Sequence, residues 1–204
     1  MDVVLIGETM GGSERAFRIL VERYQDSIVH TVTGMLGETQ EVDDTVQEVF
    51  IRFHAALSTF RAEASVKTFL TRIAINRSLD ILRRRKRRYL VSWDKEVSGD
   101  VESPDANPDE SVIESEERLR LRRMVDRLSP RHRAVVVLRI IDGLSTKETA
   151  EVLAIPYGTV LSRLKRALTK LKEHLGDEFV AANAGQVETD PIKRDHSNEA
   201  FKSE

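Results

Sequence analysis

Three groups of side chains in this 204-residue chain have the types and spacing to do chemistry, and in each the chemistry is recognition. In the stretch STKETAEVLAIPYGTVLSRLKRALTKL, Ser145 to Leu171, a wheel of about 100° per residue sets Val160, Leu164, Ala167, Leu168 and Leu171 on one side. The other side carries Thr159, Ser162, Lys165, Arg166 and Thr169, with Leu161 and Arg163 on the shoulders. Small polar and basic groups arranged this way can hydrogen-bond base edges and phosphates in a major groove. A second group, Asp43, Asp44, Gln47, Glu48 and Arg52, shares the outer face of another helical stretch. Such a strip is either plain solvated surface or a match for a basic partner. The third is the run Arg83 to Arg88, the strongest local positive potential in the chain and suited to a polyanion.

Catalytic spacings are absent. There is no Walker loop, no G-x-G-x-x-G after a strand, no G-x-S-x-G and no H-E-x-x-H. His30, His54, His132, His174 and His196 lie far apart, with no carboxylate or cysteine spacing that would hold a metal. The chain has no cysteine, which rules out a disulfide framework and suits a reducing compartment. It has no apolar run near ~20 residues and no signal-peptide pattern. These features lead us to expect a cytoplasmic protein that is not an enzyme, takes no cofactor or small-molecule substrate, and does not insert into a membrane.

The elements that position the three groups are helices. Apolar residues recur at helical spacing through both halves and strand-like alternation is almost absent, so the expected fold class is all-α. A formal net charge of −2 conceals a strong segregation: +2 over residues 1–93, −8 over 94–116, +8 over 117–175 and −4 over 176–204. This division predicts two small helical domains joined by a flexible acidic linker, the second a helix-turn-helix domain, followed by an acidic tail from about Gly176. Pro104 and Pro108, and the lack of aliphatic periodicity in 94–116, support the linker.

Taken in order, a helix should start at the N-cap Ser13, carry Phe17, Leu20, Tyr24 and Ile28 inward, and end at Gly34 and Gly37. The next, roughly Glu41 to Leu57, buries Val42, Val46, Val49, Phe50 and Phe53. FRAEAS, Phe60 to Ser65, breaks the pattern before a long helix restarts with Phe69, Leu70, Ile73, Ala74 and Leu82 inward. Beyond the linker a helix reaches Arg127, Ser129-Pro130 opens another, and Asp142-Gly143 closes it. Ser145 and Glu148 then form an S-x-x-E capping box, and Pro156 ends one short helix and starts the next.

Leu128 to Leu168, LSPRHRAVVVLRIIDGLSTKETAEVLAIPYGTVLSRLKRAL, resembles the C-terminal promoter-reading domain of group IV, or extracytoplasmic-function (ECF), sigma factors of the sigma-70 family. Gly11 to Arg88 resembles their first domain through GGSERAF, DDTVQEVFIRFH and FLTRIAINRSLDILRRRKR. Shorter pieces of the C-terminal stretch also resemble response-regulator DNA-binding domains. A receiver domain would be α/β, however, and no such strands are visible.

The resemblance implies core RNA polymerase, promoter DNA and an anti-sigma factor as partners. It also implies roles by position. Asp43, Asp44, Gln47 and Glu48 would bind core polymerase. Phe60, Arg61, Ala62, Glu63, Ala64, Ser65, Lys67 and Thr68 would capture an unstacked base of the minus-ten element. Asn76, Arg77, Asp80, Arg83 and Arg84 would lie alongside it. Thr159, Leu161, Ser162, Arg163, Lys165 and Arg166 would read the minus-thirty-five element.

Two residues depart from the family pattern: Phe69 stands where tryptophan is usual, and Leu161 where a basic residue is common. The linker also permits a compact self-inhibited form in which residues 94–116 or the tail cover the basic lobes. Two other functions fit the same pieces: a stand-alone helix-turn-helix regulator, and a module that binds polymerase or an antagonist without reading promoters.

Overall fold

Capping and periodicity set eight α-helices end to end, and among the described residues no strand interrupts them. The structure is a computed structural model that describes residues 2–60, 65–93 and 116–187; at 59, 89–93, 116–120 and 176–187 it describes the backbone only.

Helix α1 (Asp2–Met10) lacks a strong period and was not expected from the sequence. It is held by burial of Ile6 and by Asp2, which pairs with Arg23 and accepts a 2.5 Å hydrogen bond from Tyr24. Burial, followed by the Asp2 carboxylate, pushes the Tyr24 phenol up to about 12. Helix α2 (Glu14–Leu36) starts where expected, Ser13 Oγ accepting from the Ala16 amide at 3.3 Å. It ends at Gly37, whose φ of 78° lets its N–H close on the Thr33 carbonyl. Gly34 does not end the helix as expected; it lies inside α2 as a notch that the second unit fills.

Helix α3 (Glu41–Ala56) continues as a 3-10 turn over Leu57–Thr59, and α4 (Val66–Trp93) runs back across α2 and α3. All five residues assigned inward on α3 are buried. With Leu20, Ile28, Leu70 and Ile75 they form the core of the first unit, each contributing roughly 1.5–3 kcal/mol by leaving water.

Past the linker, α5 (Glu116–Arg127) and α6 (Pro130–Val136) lead into a π-helical turn, Val137–Ile141, before α7 (Thr146–Leu153) and α8 (Tyr157–Val187). The sequence reading placed one continuous helix here. The wider turn instead carries Val137 and Leu138 into the core and leaves Ile140 half exposed. On α8, Leu168, assigned inward, is also half exposed, while Val160 and Ala167 are fully buried. Helix α8 continues through residues 176–187, where a tail was expected, because GDEFVAANAGQV holds five alanine or valine residues with good or tolerable helix preference and no proline. The linker expectation for 94–115 and the tail expectation for 188–204 fall outside the described residues.

The two units touch. One apolar cluster continues from Leu20, Ile28 and Met35 of the first into Ala134, Val137, Leu138, Leu144 and Val152 of the second.

Candidate nucleic-acid interface

The reading helix is positioned by local chemistry before any long-range contact acts. Ser145 Oγ accepts from the Glu148 amide at 3.2 Å while the Glu148 carboxylate accepts from the Ser145 amide at 2.7 Å, so the capping box is complete. These bonds hold the Glu148 carboxyl below its usual range. Ala154 then takes the left-handed conformation, φ 50°, and closes α7. Pro156 follows, and its carbonyl accepts from the Thr159 and Val160 amides to open α8. The turn aims α8 so that Val160 and Ala167 pack inward while Leu161, Ser162, Lys165 and Arg166 are exposed and Thr159 and Arg163 are half buried.

The described residues offer no carboxylate partner to Arg163, Lys165 or Arg166. Their charge also reaches His132 on α6. Burial, then Lys170, Arg163 and Arg166, push the His132 imidazole below its ordinary value. Its Nδ1 lies 3.0 Å from Ser129 Oγ. No local signal ties His132 to this basic surface, because α6 and α8 meet only in the fold.

At the other end of the chain, Ser65 caps α4: its Oγ accepts from the Thr68 amide at 3.1 Å and lies 2.9 Å from Thr68 Oγ1. Thr68 is nearly buried, whereas Ser65 and Lys67 are exposed. Phe60 is half buried, its ring edge-on to Phe69 at 5.4 Å, and Phe69 continues to Phe53 at 6.1 Å. This aromatic chain ties the start of the loop to the core. Arg61, Ala62, Glu63 and Ala64 lie outside the described residues.

The acidic face of α3 and the basic face of α4, assigned separately in the sequence, are brought together. Arg77 Nε lies 2.5 Å from Glu48 Oε2, and Glu48 also accepts from Arg52 at 2.7 Å. Burial pushes the Glu48 carboxyl up, but the Arg52 hydrogen bond and the Arg77 and Arg52 charges outweigh it and hold the group below its usual range. Arg85 is pinned as well, pairing with Glu41 and donating to the Leu36 carbonyl and Thr39 Oγ1. Arg83 pairs with Asp80 at 2.6 Å. Between the two helices runs an open cleft of about 540 Å³, lined among others by Asp44, Glu48, Arg77 and Arg84. Asp43, Asp44 and Gln47 are exposed on α3, Asn76 and Arg84 on α4, and none has a described hydrogen-bond or ion-pair partner. One further residue stands with them: Ile51, 68% exposed, lies one and two turns beyond Gln47 and Asp44 on the same face. An isoleucine at i+7 on an otherwise polar face is the signal the sequence offers for it.

Known proteins settle what this arrangement belongs to. The profile described as "Sigma-70 region 2" matches residues 20–88, and that described as "Sigma-70, region 4" matches 118–171. The chain is 32% identical over 180 residues to the ECF RNA polymerase sigma factor SigW of Bacillus subtilis, covering 84% of this chain and 95% of that protein. The chain belongs to the ECF sigma factors. It is also 33% identical over 172 residues to the ECF RNA polymerase sigma-E factor of Escherichia coli K12, covering 81% and 90%. Among solved structures, this ECF sigma factor is similar to CnrH in complex with the cytosolic domain of CnrY: TM-score 0.64, 27% identity, 86% of this chain and 97% of that one. RpoE from Bartonella quintana, in complex with the anti-sigma factor NepR, shares the fold at TM-score 0.60 and 21% identity, covering 78% and 96%.

Sigma factors bind core RNA polymerase and direct promoter-specific initiation, and this chain is one of them. Among the described residues no helix is long and apolar enough to cross a membrane.

Proposed function

We propose that each function of this sigma factor is carried by one of the surfaces above. Asp43, Asp44 and Gln47, with Ile51 as an apolar anchor, bind a basic surface of core polymerase. An exposed isoleucine flanked by carboxylates offers a basic partner both apolar area to bury and charges to pair with. Glu48 acts through Arg77, aligning α3 with α4, as well as at that surface.

Lys67, Asn76, Arg77, Arg83 and Arg84 hold the minus-ten region, with Phe60 and residues 61–65 taking an unstacked base. Flipping a base costs a few kcal/mol, which a pocket built on the Phe60–Phe69–Phe53 chain can offset. Ser65 caps the helix beneath that pocket, its Oγ also in contact with Thr68 Oγ1.

Thr159, Leu161, Ser162, Arg163, Lys165 and Arg166 read the minus-thirty-five region. The observation that carries this assignment is the cationic face of α8, exposed and without a described carboxylate partner, behind a fully formed capping box. Leu161, 46% exposed, offers a methyl contact to thymine where a basic side chain would offer a donor.

The protein acts in the cytoplasm, performs no catalysis itself and is held in check by an anti-sigma factor; the likeness to CnrH in complex with the cytosolic domain of CnrY supports that last point. Run-off transcription from fragmented genomic DNA with core polymerase plus this protein tests the whole. Discrete promoter-dependent transcripts that vanish when the protein is omitted are expected, and their absence would refute the reading.

A further inference from the structure

The cationic face of α8 does not end at its own edge. On a wheel of about 100° per residue, Arg163 and Lys170 lie roughly 60° and 40° from Arg166, turned toward the buried Val160 and Ala167. Helix α6 packs along α8 on that side, where its Val136 shares an apolar cluster with Ala167. This packing brings His132 of α6, half buried, within reach of the charges of Arg163, Arg166 and Lys170.

A helix with its side chains is about 10–12 Å across and the major groove about 12 Å wide, so a helix seated there fills the groove from wall to wall. The walls are the two phosphate backbones. A side chain that flanks α8, rather than projecting from the middle of its reading face, therefore meets a backbone and not a base edge.

We infer that His132 is a further DNA-binding residue of this sigma factor: it takes up a proton from solvent as the upstream element binds and, as an imidazolium, contacts a phosphate on the groove wall beside Arg163 and Lys170. The inference rests on the minus-thirty-five assignment proposed above.

The ring is held for this task. Its Nδ1 lies 3.0 Å from Ser129 Oγ, and its Nε2 has no described partner. The Ser129 carbonyl accepts from the His132 and Arg133 amides at 2.9 Å each, so the residue that orients the ring also opens the helix that carries it. A protonated imidazole donates at both nitrogens. It can hold Ser129 Oγ and a phosphate oxygen at once, and it brings a full charge to the phosphate.

The surroundings set the direction of the proton linkage. Burial, then Lys170, Arg163 and Arg166, hold the free imidazole below its ordinary 6.5. The other charged groups around α6 are directed elsewhere. Arg133 turns to the Met35 carbonyl and Asp126, Arg85 of α4 to Glu41, and Arg139 of the π-helical turn to the Leu144 carbonyl. His30 of α2 and Lys67 of α4 act on Asp142. Arg131, exposed on α6, adds positive charge to the same end of the helix. A phosphate among these cations offsets their field and pairs with the imidazolium, so the bound value stands above the free one. Binding is then strengthened fully below the free value, and the gain is lost as pH rises through the bound value.

The test uses holoenzyme assembled from core polymerase and the full-length chain. It is titrated by anisotropy into a labelled promoter duplex recovered from the run-off experiment, and into the same duplex with a scrambled upstream element, from about pH 5.5 to about pH 8. Relative to His132→Gln, wild type should gain about three- to tenfold in affinity at the acid end, since each unit between bound and free values is tenfold. There the slope of log affinity against log salt should be steeper for wild type by about 0.9, the share of one phosphate. His132→Arg, charged at every pH, should keep the acid-end affinity across the whole range.

Circular dichroism checks that the variants fold. Lys170→Gln, at an exposed position, covers the case in which position 132 tolerates no change: with one depressing charge gone, the midpoint of the pH profile should move up. Matching pH profiles and salt slopes for wild type and His132→Gln, or an unmoved midpoint in Lys170→Gln, overturn the proposal and leave the minus-thirty-five reading standing. Wild type that binds the native and scrambled duplexes equally at every pH overturns that reading, and the proposal with it.

Discussion

Reversing Asp44 and perturbing Glu48 should have separable consequences, although the two residues are one turn apart on α3. Asp44 is exposed with no described partner, so Asp44→Lys should change stability by no more than about 0.5 kcal/mol, the ordinary range for surface sites. For a chain of this length that is a shift of about 1–2 °C in Tm. Glu48 lies 2.5 Å from Arg77 and 2.7 Å from Arg52, with Arg77 only 18% exposed. Removing its charge while keeping its shape, as in Glu48→Gln, weakens charge-assisted bonds worth about 1.5–3 kcal/mol each when well shielded; partial exposure brings the expected cost to about 1 kcal/mol. The melting temperature should fall by about 2–4 °C.

At an interface with a basic polymerase surface, close charge pairs are coupled by ~1.5–7 kcal/mol. Asp44→Lys should thus weaken core binding at least about tenfold, with helicity and Tm intact. Circular dichroism with thermal melts, and anisotropy of labelled protein titrated with core polymerase, read the two effects independently. Wild-type affinity for Asp44→Lys would refute the assignment of this face, and an unshifted Tm for Glu48→Gln would refute the bridging role of Glu48.

On the reading helix, Arg166→Ala should cost ~1–3 kcal/mol and alter preference at one position of the upstream element, as measured by selection from randomised promoters; unaltered preferences would mean that α8 is docked wrongly. Leu161→Arg in the same selection should add affinity through a phosphate contact or a new guanine preference. Ser145→Ala removes one half of the capping box and should destabilise the protein by about 0.5–2 kcal/mol, seen as a lower urea midpoint, with DNA binding falling in step. Contact between the two units should depend on pH. Burial raises the Asp142 carboxyl above its ordinary 3.8 despite the Thr31 hydrogen bond and the nearby Lys67 and His30 charges. A proton is thus held more tightly while the units are packed together, so their contact is most favoured below the ordinary carboxylate value and weakens as pH rises through the raised one. Fluorescence energy transfer between the two units across that range should show opening with rising pH, and Asp142→Asn should remove the dependence.

What the sequence determined by itself was local. A capping box spans three residues, a helical face repeats every few residues, and a proline acts on its neighbours; Ser13, Ser145–Glu148, Pro156 and the inward faces of α2 and α3 were legible for that reason. Charge segregation likewise needed only counting. Helix α1 escaped because it is fastened by Asp2 to Arg23 and Tyr24, about twenty residues away, rather than by its own period. The π-helical turn at Val137–Ile141 was hidden because a 3.6-residue wheel has no place for the extra residue.

Tertiary structure alone decided how the charged faces were spent. The Glu48–Arg77 pair, and Arg85 on the end of α2, turned part of a seemingly free charge pattern into internal bonds. Gly34, which reads as a helix stop, became a seat for Val137 across a separation of more than a hundred residues. A glycine within a helix and a glycine ending one look alike in sequence, because the difference lies in what packs against the missing side chain.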